Sequence, residues 1–346
     1  MSSLTVVTGA NGLVGANLVR ELMARGERLR VLVRSDDPEA LRGLDVERIR
    51  GDVRDLESLK AALRGAERVY HLAGQISVVG PMGGLVQATN VIGAQNVGEA
   101  ALACGARRLL HVCSVHAFRQ APLDQPIDET RARVQPGEAP AYDCSKAAGE
   151  AEIRRLITKG LEAVIVHPSG IIGPFDFRPS RMGQVLLDLY QRKLPALVAG
   201  GFDWVDVRDV VAGAIAAMER GRCNESYILS GNWQSMADLA SMAALVTGMA
   251  PPRFTSPPWL ARAGAPLMEG WAHLTGREPL YTREALAALG GNKRYLGDKA
   301  RRELGYYPRA LQESVRDTYH WFAASGRLPR ALAARIEAEA QARRPA

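Results

Sequence analysis

Tyr142 and Lys146 lie four residues apart in the segment AYDCSKAAGEAE, whose pattern predicts a helix. One helical face then carries a phenol and an ammonium. A neighbouring cation favours the phenolate and so lowers the tyrosine pKa. A phenol that otherwise titrates near ~10 comes within reach of acid–base work near neutrality. Ser114 closes the apolar run RLLHVCS, and a hydroxyl there can donate to an oxygen on which charge develops. Each residue also has a plain reading: a solvated Tyr/Lys pair on a helix face, and a strand-end hydroxyl that satisfies a turn. The way the chain begins decides between these readings.

Leu4 to Val7 is a short apolar run that predicts a buried strand. Thr8-Gly9-Ala10-Asn11-Gly12-Leu13-Val14-Gly15 follows, then a helical pattern through Met23 that stops at Gly26. A helix N-terminus offers free N–H groups and a positive dipole end to a pyrophosphate. Glycines allow the tight turn and close backbone approach, and Gly15 lets helix and strand pack closely. The spacing is GxxGxxG rather than GxGxxG. Between a strand and a helix, this turn predicts a dinucleotide site.

Taken together, these residues resemble the extended short-chain dehydrogenase/reductase family. TGANGLVG, GDVRD (Gly51 to Asp55), HLAG (His71 to Gly74), NVIGAQNV (Asn90 to Val97), Ser114, YDCSK (Tyr142 to Lys146), HPSGIIGP (His167 to Pro174) and VDVRDVV (Val205 to Val211) occur in the family's order over nearly the whole chain. The likeness is greatest to the dihydroflavonol-reductase and 3β-hydroxysteroid-dehydrogenase branch, and smaller to nucleotide-sugar epimerases. Cys113 stands where a Ser commonly precedes the catalytic Ser, and Ala94 where Thr is usual. The resemblance implies a Rossmann-type doubly wound α/β fold. It makes Tyr142 the general acid of ketone reduction, or the base of alcohol oxidation. Lys146 tunes that phenol and bonds the nicotinamide ribose, Ser114 holds the substrate oxygen, and Asn90 supports Lys146 through water. It assigns Gly9, Asn11, Gly12, Leu13, Val14, Asp52, Val53, Leu72, Ala73, Gly74, Pro168, Ser169, Gly170 and Ile171 to the cofactor. Arg34 ends the second strand, where an acidic residue would hold the adenosine ribose; a guanidinium there binds a 2′-phosphate instead. NADP is therefore expected, with NAD as the alternative, and Asp36 and Asp37 weigh toward NAD.

Alternating strand and helix patterns in the first half predict a parallel sheet with helices on both faces. The expected strands are Leu4–Val7, Leu29–Val33, Val46–Arg50, Arg68–Leu72, Arg108–Cys113, Ala163–His167 and Tyr227–Leu229. Breaker-rich stretches at Pro174–Ser180 and Pro251–Pro258 bracket a smaller, mostly helical substrate lobe. The expected division is 1–173 plus 205–230 for the dinucleotide domain, 174–204 plus 231–327 for the lobe, and 328–346 for an Ala/Arg-rich helical tail. Leu328, Leu332 and Ile336 give that tail an apolar stripe. VDVRDVVAGAIAAME is expected to return as a helix to the main domain.

The 346 residues carry a net charge of +7 and four cysteines without CxxC spacing. The pI is about 9.4. Scattered arginines without a nucleic-acid motif point away from nucleic acid, and the cysteines point to neither a metal site nor a disulfide framework. Val69 to Gly98 holds no charged residue. Its Gln, Asn, Pro and Gly content fits a strand, a loop and a buried helix better than a membrane span. The expectation is a cytoplasmic enzyme without a signal peptide, acting on a small molecule. A homodimer through the helices Val86–Cys104 and Tyr142–Thr158 is also expected.

His111 and His116 flank Ser114, but no GxSxG elbow supports a hydrolase. On a strand His111 faces away from Ser114, whereas His116 can turn toward it. Phe175, Phe177, Phe202, Trp204, Trp233, Trp259, Trp271 and Tyr281 fall in or near the lobe and suit an apolar carbonyl substrate; each alone is equally a core residue. Arg178 and Arg181 keep a nucleotide-sugar epimerase or dehydratase with tightly held NAD as an alternative. A non-catalytic dinucleotide-sensing regulator is a third reading, which the intact Ser114–Tyr142–Lys146 set argues against.

Overall fold

The computed structural model describes residues 3–35, 38–263 and 282–342. Asp36, Asp37, Trp271 and Tyr281 lie outside the described residues.

The seven expected strands form, each within a residue or two of its sequence bounds. They are β1 (Leu4–Thr8), β2 (Arg28–Val33), β3 (Glu47–Arg50), β4 (Arg68–His71), β5 (Arg108–Val112), β6 (Ala163–Pro168) and β10 (Ser226–Leu229). They make one sheet in the order β10-β6-β5-β4-β1-β2-β3, and every pairing is parallel. Parallel neighbours need crossover helices, which cover both faces, so the strands are near-continuous apolar runs. Alternate residues serve opposite cores. Val7, Val31, Tyr70, Leu110 and Val164 pack against α1 (Leu13–Ala24) and α7 (Val207–Arg220). Val6, Leu32, Val69, Leu109 and Ile165 pack against α2 (Leu56–Leu63), α4 (Gly93–Ala103) and α5 (Ala141–Ile157). The result is the doubly wound Rossmann-type α/β fold. Strand order reverses direction beside β1, and in such sheets ligands bind in the crevice beyond the carboxyl ends of the strands there.

The charge-free stretch resolves into the end of β4, a loop, a single turn α3 (Leu85–Gln87), a π-helical turn over Ala88–Ile92, and α4. No helix among the described residues is long and apolar enough to cross a membrane.

The lobe holds more strand than the sequence pattern predicts. β7 (Gly170–Ile172), β9 (Gly201–Asp206) and β11 (Asn232–Ser235) form a second sheet, and β8 (Leu197–Val198) pairs with β12 (Thr255–Ser256). The expected helix at VDVRDVV begins two residues late, because Val205 and Asp206 still belong to β9. Asp206 then caps α7 by accepting from the Arg208 N–H at 2.8 Å. Around this small sheet pack α6 (Arg181–Tyr190), α8 (Met236–Thr247) and the helices Arg283–Leu289 and Leu311–Ala324. The tail helix Arg330–Ala342 docks here as well, with Leu332 and Ile336 buried.

Candidate active site

The glycine turn is built by two contacts and one opening. Gly9 has φ +74°, and a Cβ there would lie 2.6 Å from the Ala73 amide nitrogen. A Cβ on Gly15 would lie 2.2 Å from the Gly9 carbonyl oxygen, so Gly15 seats α1 on its own turn. Gly12 is exposed, and a Cβ there would meet nothing nearer than 3.5 Å. Gly12 is also the N-cap of α1, whose first turn has neither a side-chain cap nor an acidic residue. The Oδ1 of Asn11 is buried and unpartnered. Leu13 and Val14 open the helix and are partly buried. Uncapped N–H groups and an open approach at Gly12 together fit a dinucleotide pyrophosphate; the Asn11 oxygen, an acceptor, can serve only a donor such as a hydroxyl.

Arg34 lies just past β2 and is exposed. Asp52 is clasped by Arg54, whose Nε and Nη2 donate at 3.0 and 2.7 Å. That bond holds the Asp52 carboxyl below its usual range, and Arg34 adds to the pull. Arg54, which the sequence reading did not single out, is thus engaged by Asp52, and Arg34 acts on the same carboxylate. Val53 is buried beside Gly93, and its carbonyl accepts from Asn96 Nδ2 at 3.0 Å.

The register places Thr8, His71 and His111 side by side on β1, β4 and β5. Thr8 Oγ1 and His71 Nδ1 are 2.8 Å apart, and the two imidazoles are 5.2 Å apart. Burial lowers the His71 pKa to about 3 and that of His111 well below its usual value. Both rings are therefore neutral, and His111 is buried beside His71 within electrostatic reach of Lys146 and Glu150. Leu72 packs on the core beneath, and the Ala73 N–H donates to Thr8 Oγ1 at 3.4 Å. A Cβ on Gly74 would lie 3.4 Å from Asn90 Oδ1 and 3.8 Å from Lys146 Nζ.

Asn90 occupies the π-helical turn, a feature common at functional sites. Its amide accepts from the Gln75 N–H at 2.7 Å and donates to the Gln75 carbonyl at 2.9 Å. Its Nδ2 also donates to Ser145 Oγ at 2.8 Å, and that hydroxyl donates to the Tyr142 carbonyl at 2.7 Å. Asn90 thus fixes the start of α5, with Ser145 as a link that the sequence did not single out.

Tyr142 and Lys146 share α5, but their expected coupling needs correction. Lys146 Nζ donates to the Val112 carbonyl at 2.8 Å. Burial raises the Tyr142 pKa, and the nearby Ser114 hydroxyl opposes this only in part. Burial also lowers the Lys146 pKa. The phenol is thus held protonated here rather than drawn down by its neighbour, because desolvation outweighs the influences that favour phenolate. Ser114 follows β5 and caps a 3-10 turn, its Oγ accepting from the His116 N–H at 3.2 Å.

Val115, His116, Ser169, Phe202, Asp203, Asn292 and Tyr295, among others, line a narrow cleft of about 20 Å³, the space of about one water molecule. Ser169 and Gly170 thus face the cleft, next to Pro168 at the end of β6 and Ile171 in β7. Ser169 Oγ is buried and completes no hydrogen bond of good geometry. The His116 ring is 6.1 Å from that of Tyr142, and its Nδ1 is 3.5 Å from Asp143 Oδ1. Burial pushes this imidazole down, but the Asp143 carboxylate more than reverses it, so the pKa is raised. Burial also raises the Asp203 pKa. Of the aromatics expected at the substrate, Phe202 lines the cleft. Trp204 is core, with Nε1 donating to the Gln234 carbonyl at 3.1 Å. Phe175 and Phe177 pack with Trp321 and under the Arg20 guanidinium. Trp233 lies under Lys293, and Trp259 is exposed.

Comparison with known proteins gives the family and the fold. The profile of the NAD dependent epimerase/dehydratase family matches residues 5–230. Sterol demethylase protein B of Methylococcus capsulatus is 36% identical over 326 residues, which is 93% of this chain and 99% of that protein. A putative dihydroflavonol 4-reductase of Synechocystis sp. is 32% identical over 327 residues, 93% of this chain and 95% of its own. The crystal structure of gox2253 matches with a TM-score of 0.82 at 36% identity, over 94% of this chain and 100% of that one.

Proposed function

The chain belongs to the NAD dependent epimerase/dehydratase family and is an enzyme of the oxidoreductase type; from that premise we propose that it transfers a hydride between NADP(H) and a carbonyl or secondary alcohol of a largely apolar small molecule. What supports this reading is the approach of the Ser114 hydroxyl to the Tyr142 phenol, with Lys146 one turn further along α5, in a chain whose α1 N-terminus is uncapped. When bound, the nicotinamide supplies or accepts the hydride. Gly9, Gly12 and the N–H groups of Leu13 and Val14 hold the pyrophosphate, with Asn11 beside them. Leu72 to Gly74 and Pro168 to Ile171 flank the remainder. Arg34, with Arg54 nearby, favours the 2′-phosphate of NADP, and Asp52 faces the adenine.

In the reducing direction Ser114 donates to the substrate oxygen and holds it against the Tyr142 phenol. Tyr142 gives its proton to that oxygen as negative charge develops there. A phenol kept protonated by burial is the form this step requires. Lys146 anchors α5 to β5 and lends positive charge to the site. Val115, Phe202 and Ala288 supply the apolar part of the cleft wall. The name of one relative given above, a putative dihydroflavonol 4-reductase, supports a reductive reading.

A second reading, a nucleotide-sugar epimerase or dehydratase with retained NAD, draws on the polar lining of the cleft: His116, Asp203, Asn292 and Tyr295. The deciding experiment follows NADPH and NADH oxidation with alicyclic and aromatic ketones, alongside interconversion of UDP-sugars. Ketone turnover with NADPH preferred, and reversal of that preference in Arg34→Asp, supports the reductase. UDP-sugar turnover without net cofactor oxidation, and no ketone turnover, overturns it. We further read the enzyme as a cytoplasmic homodimer. Ile92 and Leu102, on the helix expected at the interface, are 42% and 37% exposed. Light scattering on the purified protein tests the dimer.

A further inference from the structure

Glu150 stands one helical turn beyond Lys146 on α5 and is fully buried. A buried carboxylate has to be paired or it neutralises, and this one has four partners. Arg133 Nε and Nη2 donate to its two oxygens at 2.9 and 2.8 Å, and Arg154 Nε donates to Oε1 at 2.9 Å. His167 Nε2 lies 2.9 Å from Oε2, and Cys113 Sγ lies 3.7 Å from the same oxygen. Burial would raise this carboxyl, but the hydrogen bond from His167 and the bonds and charge of Arg133 hold it well below its usual range, while burial keeps the His167 pKa low.

These partners come from particular places. Cys113 immediately precedes Ser114, and its thiol also lies 3.4 Å from the Lys146 carbonyl. His167 immediately precedes Pro168 to Ile171. Arg133 returns from the loop after Ser114 and covers Phe118 at 4.0 Å, and Phe118 in turn packs on His167 at 4.7 Å. One carboxylate is thereby bonded to the neighbours of Ser114 and of the β6–β7 segment, and shares a helix with Tyr142 and Lys146. Cys113, Glu150 and His167 also bring possible metal-ligand atoms within 4.8 Å of one another. However, two guanidiniums already occupy the carboxylate, and their charge opposes a divalent cation.

We propose that Glu150 is a positioning residue: through Cys113, His167 and Arg133 it sets the placement of Ser114, Tyr142 and Lys146 against the segment that borders the nicotinamide. The inference rests on the hydride-transfer reading of this site. It predicts a split between holding the cofactor and using it, because the glycine turn that binds the phosphates lies outside the network.

The test measures NADPH binding to the whole enzyme, the fluorescence of its nicotinamide in the binary complex, and turnover on the best ketone found above. Glu150→Gln keeps the shape and removes the charge. With that variant the NADPH Kd stays within about threefold, nicotinamide fluorescence enhancement falls by at least about half, and kcat falls about tenfold or more, as misplacement of reacting groups requires. His167→Phe, which removes one partner and leaves both arginines, shifts both readouts in the same direction by a smaller factor. If Glu150→Gln does not fold, His167→Phe decides alone. If the folded variants lower only the melting temperature and leave fluorescence and kcat at wild-type values, Glu150 is a structural residue and the proposal falls. If wild-type protein binds neither NADPH nor NADH, the hydride-transfer reading fails first and this role fails with it.

Discussion

Tyr142 shows how environment overrides spacing at the scale of one residue. Four residues of separation put Lys146 on the same helical face, yet the ammonium is turned to the Val112 carbonyl and burial governs the phenol. Replacing Tyr142 with Phe removes the proton and little else. We expect kcat to fall by about 10²–10⁴-fold, the range for a positioned acid, while cofactor affinity in a fluorescence titration stays the same. Retention of a tenth of wild-type turnover would remove Tyr142 from the mechanism. Asp176 offers a second test at this scale. It is buried and accepts from the Ser180 N–H and hydroxyl, both at 2.8 Å on Oδ2, yet burial raises its pKa to about 6. A folded pKa above the unfolded value of ~3.8 gives stability that is complete below that value and lost as pH rises through about 6. Urea unfolding between pH 4 and 7 should therefore show wild type losing roughly 1–3 kcal/mol that Asp176→Asn does not lose. Parallel pH profiles for the two proteins would contradict the assignment.

At the scale of elements, the glycine turn separates folding from binding. Gly15→Ala drives a methyl into the Gly9 carbonyl at 2.2 Å and Ala10 Cα at 2.6 Å. Overpacking of this kind costs about 1–3 kcal/mol, so a lower melting temperature and lost cofactor binding are expected together. Gly12→Ala meets only open space and the Gly9 oxygen at 3.5 Å. It should leave thermal stability near wild type and weaken cofactor binding about tenfold or more, because the methyl occupies the approach to the helix N-terminus. Equal loss of stability in the two variants would show that Gly12 is a packing residue. The same close approach joins α5 to the π-helical turn, where a Cβ on Gly149 would lie 2.2 Å from the Asn90 carbonyl oxygen. These elements were legible in the sequence because a buried parallel strand must be apolar and a crossover helix must begin and end on recognisable residues. β7, β9 and β11 were not, because three- to six-residue segments broken by Gly and Trp carry too little periodicity to distinguish strand from loop.

At the scale of the molecule, the described residues build an apolar core on each face of the parallel sheet and a further one in the lobe, formed by α6, α8 and Leu311–Ala324. The tail helix Arg330–Ala342 completes the lobe core through Leu332 and Ile336. Ile336→Ala should therefore cost about 2–5 kcal/mol in urea unfolding, as for other large-to-small core changes, with the cofactor Kd unchanged. A cost under about 0.5 kcal/mol, typical of surface substitutions, would mean that the tail does not contribute to the fold. The sequence by itself determined the fold class, the positions of the sheet-forming segments and the glycine turn between β1 and α1, and it supplied the Ser114–Tyr142–Lys146 set on which the proposed chemistry rests. Each of these rests on local spacing, on periodicity, or on motifs that keep their order along the chain. Tertiary structure alone decided that Trp204 is core and Phe177 packs on Trp321 while Phe202 faces the cleft, that Lys146 bonds Val112, and that Arg54 clasps Asp52. It also decided that Glu150 gathers Arg133 and His167 from 17 residues away on either side. Burial and hydrogen bonding between segments distant in sequence follow from how the layers close-pack, and single-chain spacing carries no record of that.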